Sequence, residues 1–188
     1  MQFNHNTNTK EFIPCKSEMA NPSTDWQLSW SLSRQQGIHP DMASFLWKMI
    51  HNLLSTQDRL HRLGASPSPD CTHCKESYGT LRHELVECSN NNNVGQLLTS
   101  CLQTYLPDLT SSSLLRLEFP SLDENRELSS TILTAVTLGV VWKERQTSSI
   151  VRANQVRSEI ELTIALLRTT RLSNISLVLE RQYEQMFQ

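Results

Sequence analysis

The chain has no apolar run approaching the roughly 20 residues that cross a bilayer, so no membrane helix is expected. No apolar signal segment opens it, and its 5 cysteines are an odd number. Both observations argue against a secreted disulfide framework and for an intracellular setting, cytoplasmic or nuclear. There is no phosphate-binding glycine loop, no dinucleotide fingerprint and no nucleophile elbow. Sustained two-residue alternation and hairpin dipeptides are also missing, which disfavours a β fold. No internal repeat is present. The formal net charge of −2 excludes a polycation, so strong non-specific binding to nucleic acid is not expected.

What is there is mainly helical. With 188 residues and 38% hydrophobic content, the chain suits one domain, or a small domain with an appendage. Residues 1–24 read as a polar, poorly ordered lead-in. Trp26 and Trp30 share a helix face or flank a short strand. Pro40-Asp41 starts a clear helix with Phe45, Leu46, Met49, Ile50, Leu53 and Leu54 as its apolar stripe and Trp47 beside it. Thr56 caps a short helix carrying Leu60 and Leu63, ended by Gly64. Helices are predicted over Val94–Leu106, with Leu97, Leu98, Cys101, Leu102 and Tyr105 inward, and over Glu127–Arg145. Ser148-Ser149 starts or interrupts the next helix, which runs to about Thr170 through Val156, Ile160, Thr163, Ile164 and Leu167. Ser173 or Asn174 caps a last one with Leu177, Val178, Tyr183 and Phe187. The expected organisation is the lead-in, a helical region over 25–106, and a C-terminal helical region over 107–188 ending in a helical hairpin.

Between the helices lies Cys71-x2-Cys74-x8-His83-x4-Cys88. Three thiols and an imidazole make a closed tetrahedral set for Zn²⁺, and a closed set is structural. Ser66-Pro67-Ser68-Pro69-Asp70 supplies turn chemistry before it, and Gly79-Thr80 a reversal and helix cap. A short helix over Leu81–Glu87 brings His83 and Cys88 toward a knuckle spanning 71–88. Apolar content between Gly64 and Ser89 is thin, so one structural zinc is expected to supply the stability a small core lacks. The other reading of Cys-x2-Cys is a redox pair, but that wants a βαβ setting, and this context is turn-rich and helical. His73 competes with His83 as ligand; His83 is favoured, because His73 would have to fold back over its neighbours. Cys15 is isolated, and Cys101 reads as a buried thiol.

Charge is uneven. Arg34, Lys48, Arg59 and Arg62 outnumber Asp41 and Asp58 between Ser31 and Arg62. Lys143, Arg145, Arg152, Arg157, Arg168 and Arg171 outnumber Glu144, Glu159 and Glu161 farther on. Pro107 to Ser130 is acidic, and Asp123-Glu124 within it reads as a solvated loop pair. The basic stretches are solvated helix faces or surfaces for phosphate.

The order of these elements resembles the zinc-binding domain that follows the reverse transcriptase of non-long-terminal-repeat, LINE-type retrotransposons. The matching features are Phe45-Leu46-Trp47, Thr56 with Leu60, Cys71 and Cys74, Thr80 with His83, and Cys88. Trp142-Lys143-Glu144-Arg145 matches a downstream motif that Gln146 departs from, and Gly79 stands where a Glu is usual. The resemblance spans roughly Trp26 to Gln146. It implies a CCHC zinc knuckle and a role in holding template RNA or target DNA near a polymerase. On that reading Lys48, Arg59, Arg62, Lys75 and Arg82 meet phosphates, and His61 or Tyr78 stacks on a base. Binding to RNA or single-stranded DNA is expected to be weak and salt-dependent. No Tyr-x-Asp-Asp occurs, no nuclease set is convincing, and the chain is too short for a polymerase beside the knuckle. A non-catalytic chain is therefore expected. The alternatives are a zinc-stabilised helical module docking on a reverse transcriptase or another protein, and an inactive retroelement remnant.

Overall fold

A computed structural model describes residues 27, 29, 31, 38–119, 122–147, 150–170 and 172–187. The expectations for the 1–24 lead-in, Cys15, Trp26, Trp30 and Ser148-Ser149 lie outside these residues. The described residues are mostly helical and include no strand; Asp70 and Tyr78 form one isolated antiparallel bridge. Among the described residues no helix is long and apolar enough to cross a membrane.

Helix α1 (Pro40–Ile50) opens with proline at its first position, where a missing N–H leaves nothing unsatisfied. It buries Leu46, Met49 and Ile50. The short α2 (Gln57–Arg62) follows Thr56 and stops at Gly64, whose φ of +73° suits glycine. A single π-helical turn (His83–Glu87) and a 3₁₀ turn (Ser89–Asn91) then lead into α3 (Val94–Gln103).

Another short helix, α4 (Ser111–Leu115), went unread in the sequence; the Thr110 hydroxyl caps it, accepting from Ser113 N–H at 3.1 Å. The long α5 (Glu124–Gln146) starts three residues earlier than the apolar pattern suggests. Asp123, expected in a loop pair, is its N-cap and accepts from Arg126 N–H at 3.0 Å. A carboxylate there meets unsatisfied N–H groups and the positive end of the helix dipole.

The last helices, α6 (Ala153–Arg168) and α7 (Ser173–Met186), run antiparallel as a hairpin. Arg168 pairs with Glu180 at 2.5 Å, and Tyr183 O–H donates to Glu161. The buried stripe of α7 is Ile175, Leu179, Gln182 and Met186, while Leu177 is exposed. Spacings of four, three and four residues keep that stripe on one face.

The hairpin closes over α5, which also packs against α1, α3 and the π turn. One apolar cluster runs from Leu46 to Met186, so both halves of the chain share an interior. Its centre is α5, where Leu128 to Leu138 are buried without interruption. Serines and threonines on that helix allow close approach: the Ser130 hydroxyl accepts from Gln182 Nε2 at 3.0 Å, and Thr131 donates to the Glu127 carbonyl at 2.9 Å.

Candidate metal centre

Residues 69–79 fold back on themselves through three backbone hydrogen bonds. Cys71 N–H donates to Ser77 O and Gly79 N–H to Pro69 O, both at 2.8 Å; Lys75 N–H donates to Cys71 O at 2.9 Å. Lys75 takes a left-handed φ of +61°, which turns the chain just after Cys74 and leaves both thiols on the inner side of the loop.

His83 and Cys88 come from the other wall of the site. Five positions on an ideal α-helix turn through about 500°, leaving their side chains about 140° apart. The wider π turn reduces that divergence, and Cys88 N–H accordingly reaches back five residues to His83 O at 2.8 Å. The expected α-helical turn over Leu81–Glu87 is thus π-helical over its last five residues. The Thr80 hydroxyl accepts from His83 N–H at 3.2 Å, as the cap reading requires.

The structure brings Cys71, Cys74, His83 and Cys88 together, with one ligand atom of each lying within 4.8 Å of all the others. The Cys71 and Cys88 sulfurs are 3.8 Å apart, and Cys74 Sγ lies 3.2 Å from His83 Nε2. A tetrahedron with Zn–S bonds of about 2.3 Å has S···S edges of about 3.8 Å, so the donor set fits zinc. A disulfide would need about 2.05 Å, and all four described cysteines are free. His73 is outside the cluster; burial and the nearby Arg145 cation lower its pKa.

The electrostatics favour an anionic Cys71. A hydrogen bond from the Cys88 thiol lowers the Cys71 pKa most, against an opposing effect of burial; backbone N–H groups and Arg145 lower it further. Cys88 is raised because it shares a hydrogen bond with Cys71 and is buried. Metal binding favours thiolate at both.

Behind the ligands sits a charged cluster that the sequence reading missed. Arg145, at the end of α5, is almost fully buried. It donates from Nη2 to Cys71 Sγ at 3.2 Å and from Nη1 to Asn91 Oδ1 at 3.2 Å, and its Nη2 lies 3.5 Å from Glu84 Oε2. Glu84 Oε1 accepts Gln57 N–H at 2.8 Å, tying α2 to the site. Burial pushes the Glu84 pKa up to about 7, against the Gln57 N–H and Arg145. Burial disfavours the Arg145 cation, but Cys71, Glu84 and Cys88 outweigh it and raise its pKa. Glycine at 79 is required here, since a Cβ would lie 2.5 Å from both Glu84 Oε1 and Gln57 Cβ. The only sequence signal for this cluster was the Trp142–Arg145 motif, recognised without a role.

The basic and stacking residues named from the sequence differ in exposure and in partners. Lys48, His61, Arg62, Lys75, Tyr78 and Arg82 are exposed. Arg62 is paired with Asp58 at 2.8 Å and Arg82 with Glu87 at 3.0 Å, while half-buried Arg59 donates to Asn52 O at 2.9 Å. His61 Nδ1 lies 3.0 Å from Ser66 O. Lys48 and Lys75 form no ion pair among the described residues.

Residues 9–94 match the family described as zinc-binding in reverse transcriptase. No curated protein and no solved structure matches the chain.

Proposed function

We propose, taking residues 9–94 as a reverse transcriptase zinc-binding domain, that this chain is a non-catalytic nucleic-acid-binding module of a LINE-type retrotransposon product. It holds one structural zinc on Cys71, Cys74, His83 and Cys88 and works inside the cell. The observation that carries the reading is the Cys3His cluster inside the matched segment, with exposed Lys75 and Tyr78 in the loop that carries its first two ligands. Zinc bound there would supply a rigid cross-link between the loop and the π turn. Exposed cations would meet the phosphates of RNA or single-stranded DNA, and Tyr78, 63% exposed, offers a ring for stacking.

Arg62, Arg82 and Arg59 must give up a partner before they reach a phosphate, so Lys48 and Lys75 carry the first contacts. An electrophoretic shift at low and moderate salt tests this. Replacing both lysines by glutamine is expected to weaken binding uniformly across sequences. On single strands the log–log salt slope falls by about 0.7 per contact removed, or about 1.4 for two. An unchanged slope would refute the lysine contacts, and no shift with any nucleic acid at low salt would refute the function.

A second reading, a zinc-stabilised protein-docking module, is favoured by Leu162, Leu166 and Leu177, each more than half exposed on the C-terminal hairpin. That reading predicts sensitivity of partner capture at these leucines and none of nucleic-acid binding.

A further inference from the structure

We infer that Arg145 is the positioning residue of the metal centre: it holds the Cys71 sulfur for zinc and makes metal retention depend on the docking of α5. The inference rests on the zinc reading of the four ligands.

Three observations carry it. The Arg145 side chain is only 3% exposed, and a buried guanidinium is tolerated only when anions and acceptors surround it. Its nearest anionic contact is the Cys71 sulfur at 3.2 Å, closer than the Glu84 carboxylate at 3.5 Å. Glu84 is already shared, its other oxygen accepting the Gln57 N–H. Charge points the same way. Three thiolates, a neutral imidazole and Zn²⁺ sum to −1, which one guanidinium neutralises. Arginine's planar fork places one nitrogen between sulfur and carboxylate and another on Asn91, and a lysine ammonium cannot reproduce that spread.

Arg145 also lies 51 residues beyond the end of the matched segment at position 94. The outer sphere of the zinc site is thus completed by a helix that the family match does not reach. Asn91 links the two parts: its side chain donates to Glu84 O at 2.7 Å and accepts from Arg145.

The test uses the full chain, loaded with Zn²⁺ or Co²⁺, as wild type, Arg145→Met, Arg145→Lys and Arg116→Met. Arg116 is a second buried arginine, on the α4 side of the molecule and paired with Glu118 at 2.7 Å, so its loss reports general destabilisation. Zinc release is followed with a chromophoric chelator, and the thiolate-to-cobalt charge-transfer band by absorption. Removing an outer-shell partner is expected to weaken metal binding about 10–100-fold. Arg145→Met should therefore release zinc at least 10-fold faster and shift the cobalt band, with Arg145→Lys recovering only part of each. Arg116→Met should leave both readouts at wild-type values. If Arg145→Met does not fold, Arg145→Lys decides. A folded Arg145 variant with wild-type release and spectrum would overturn the inference, as would an Arg116→Met effect of equal size. Wild type that binds no zinc would instead overturn the underlying metal reading.

Discussion

Gly95 and Gly139 both sit inside helices, yet adding one methyl group to each should have opposite effects. Helix propensity favours alanine over glycine by about 0.8–1 kcal/mol in a helix interior such as Gly139, and by at most that at Gly95, the second residue of α3. At Gly139, on α5, the new Cβ would meet only Phe45 Cδ1 at 3.9 Å, an ordinary contact. Gly139→Ala should therefore stabilise the protein by up to about 1 kcal/mol. At Gly95, on α3, the same atom would lie 2.5 Å from Val86 Cα and 2.8 Å from the carbonyl oxygens of Leu85 and Val86. These are backbone atoms of the π turn, which cannot rotate aside as a side chain does. Overpacking of this kind costs about 1–3 kcal/mol, so the net effect of Gly95→Ala is a loss of up to about 2 kcal/mol. The two variants should differ by about 1–3 kcal/mol in urea unfolding followed by circular dichroism. At about 2–4 °C per kcal/mol, thermal midpoints should separate visibly. Because the displaced turn carries His83, Gly95→Ala should also speed zinc release while Gly139→Ala leaves it unchanged. Equal stabilisation by both variants would refute the close approach of α3 to the turn.

Protein purified without chelator should contain about one Zn²⁺ per chain, and stripping it should lower the thermal midpoint, since structural zinc in finger peptides is worth roughly 10–16 kcal/mol. Cys74→Ser or His83→Ala should expose the 64–89 segment to protease; full stability of the metal-free form would contradict the site. The Cys101 thiol donates to Gln182 O at 3.1 Å, and burial pushes its pKa up to about 11. Against an ordinary thiol value of 9.0, this lowers the Cys101 thiolate fraction at pH 8 roughly 100-fold. Its alkylation, read by peptide mass spectrometry, should be correspondingly slow in the native state, should quicken as pH rises toward 11, and should match a free thiol once the protein is unfolded. Leu133→Ala, at a fully buried position on α5, should cost about 2–5 kcal/mol in chemical denaturation, whereas Leu162→Ala, 56% exposed, should stay within about 0.5 kcal/mol.

The helices that were legible in the sequence had a strong local signal. α1 combined a proline start with an apolar stripe, and α2 ended on a glycine. The ligand spacing foretold which four donors would meet, because cysteine and histidine at those intervals have few other uses. The misses have physical causes. The start of α5 was set by a side-chain cap at Asp123, which competes with a loop reading of any Asp-Glu pair. The π turn was invisible because hydrophobic pattern does not distinguish one inserted residue in so short a helix. The 107–130 stretch looked merely acidic, yet Leu114, Leu115, Leu117 and Phe119 are all buried there. On α7 the polar Gln182 took an inner position and met Ser130, which an apolar pattern does not show. Arg145 was the deepest miss, since local patterning cannot say that a charge is buried against a partner 74 positions away.

The unbroken enclosure of α5 also has a consequence for time. A helix with one wet side can fray or open alone, but between Leu128 and Leu138 this one has no wet side. Its amide protons should exchange with deuterium at one shared rate, that of whole-molecule unfolding. The same enclosure delays assembly on the ribosome. The cover is complete only when α7 has docked, 48 positions after Leu138 at Met186. At about 5–20 residues per second, this central helix waits roughly 2–10 s with its small hydroxylated faces open. Over that interval the nascent chain has its metal ligands but not yet its interior.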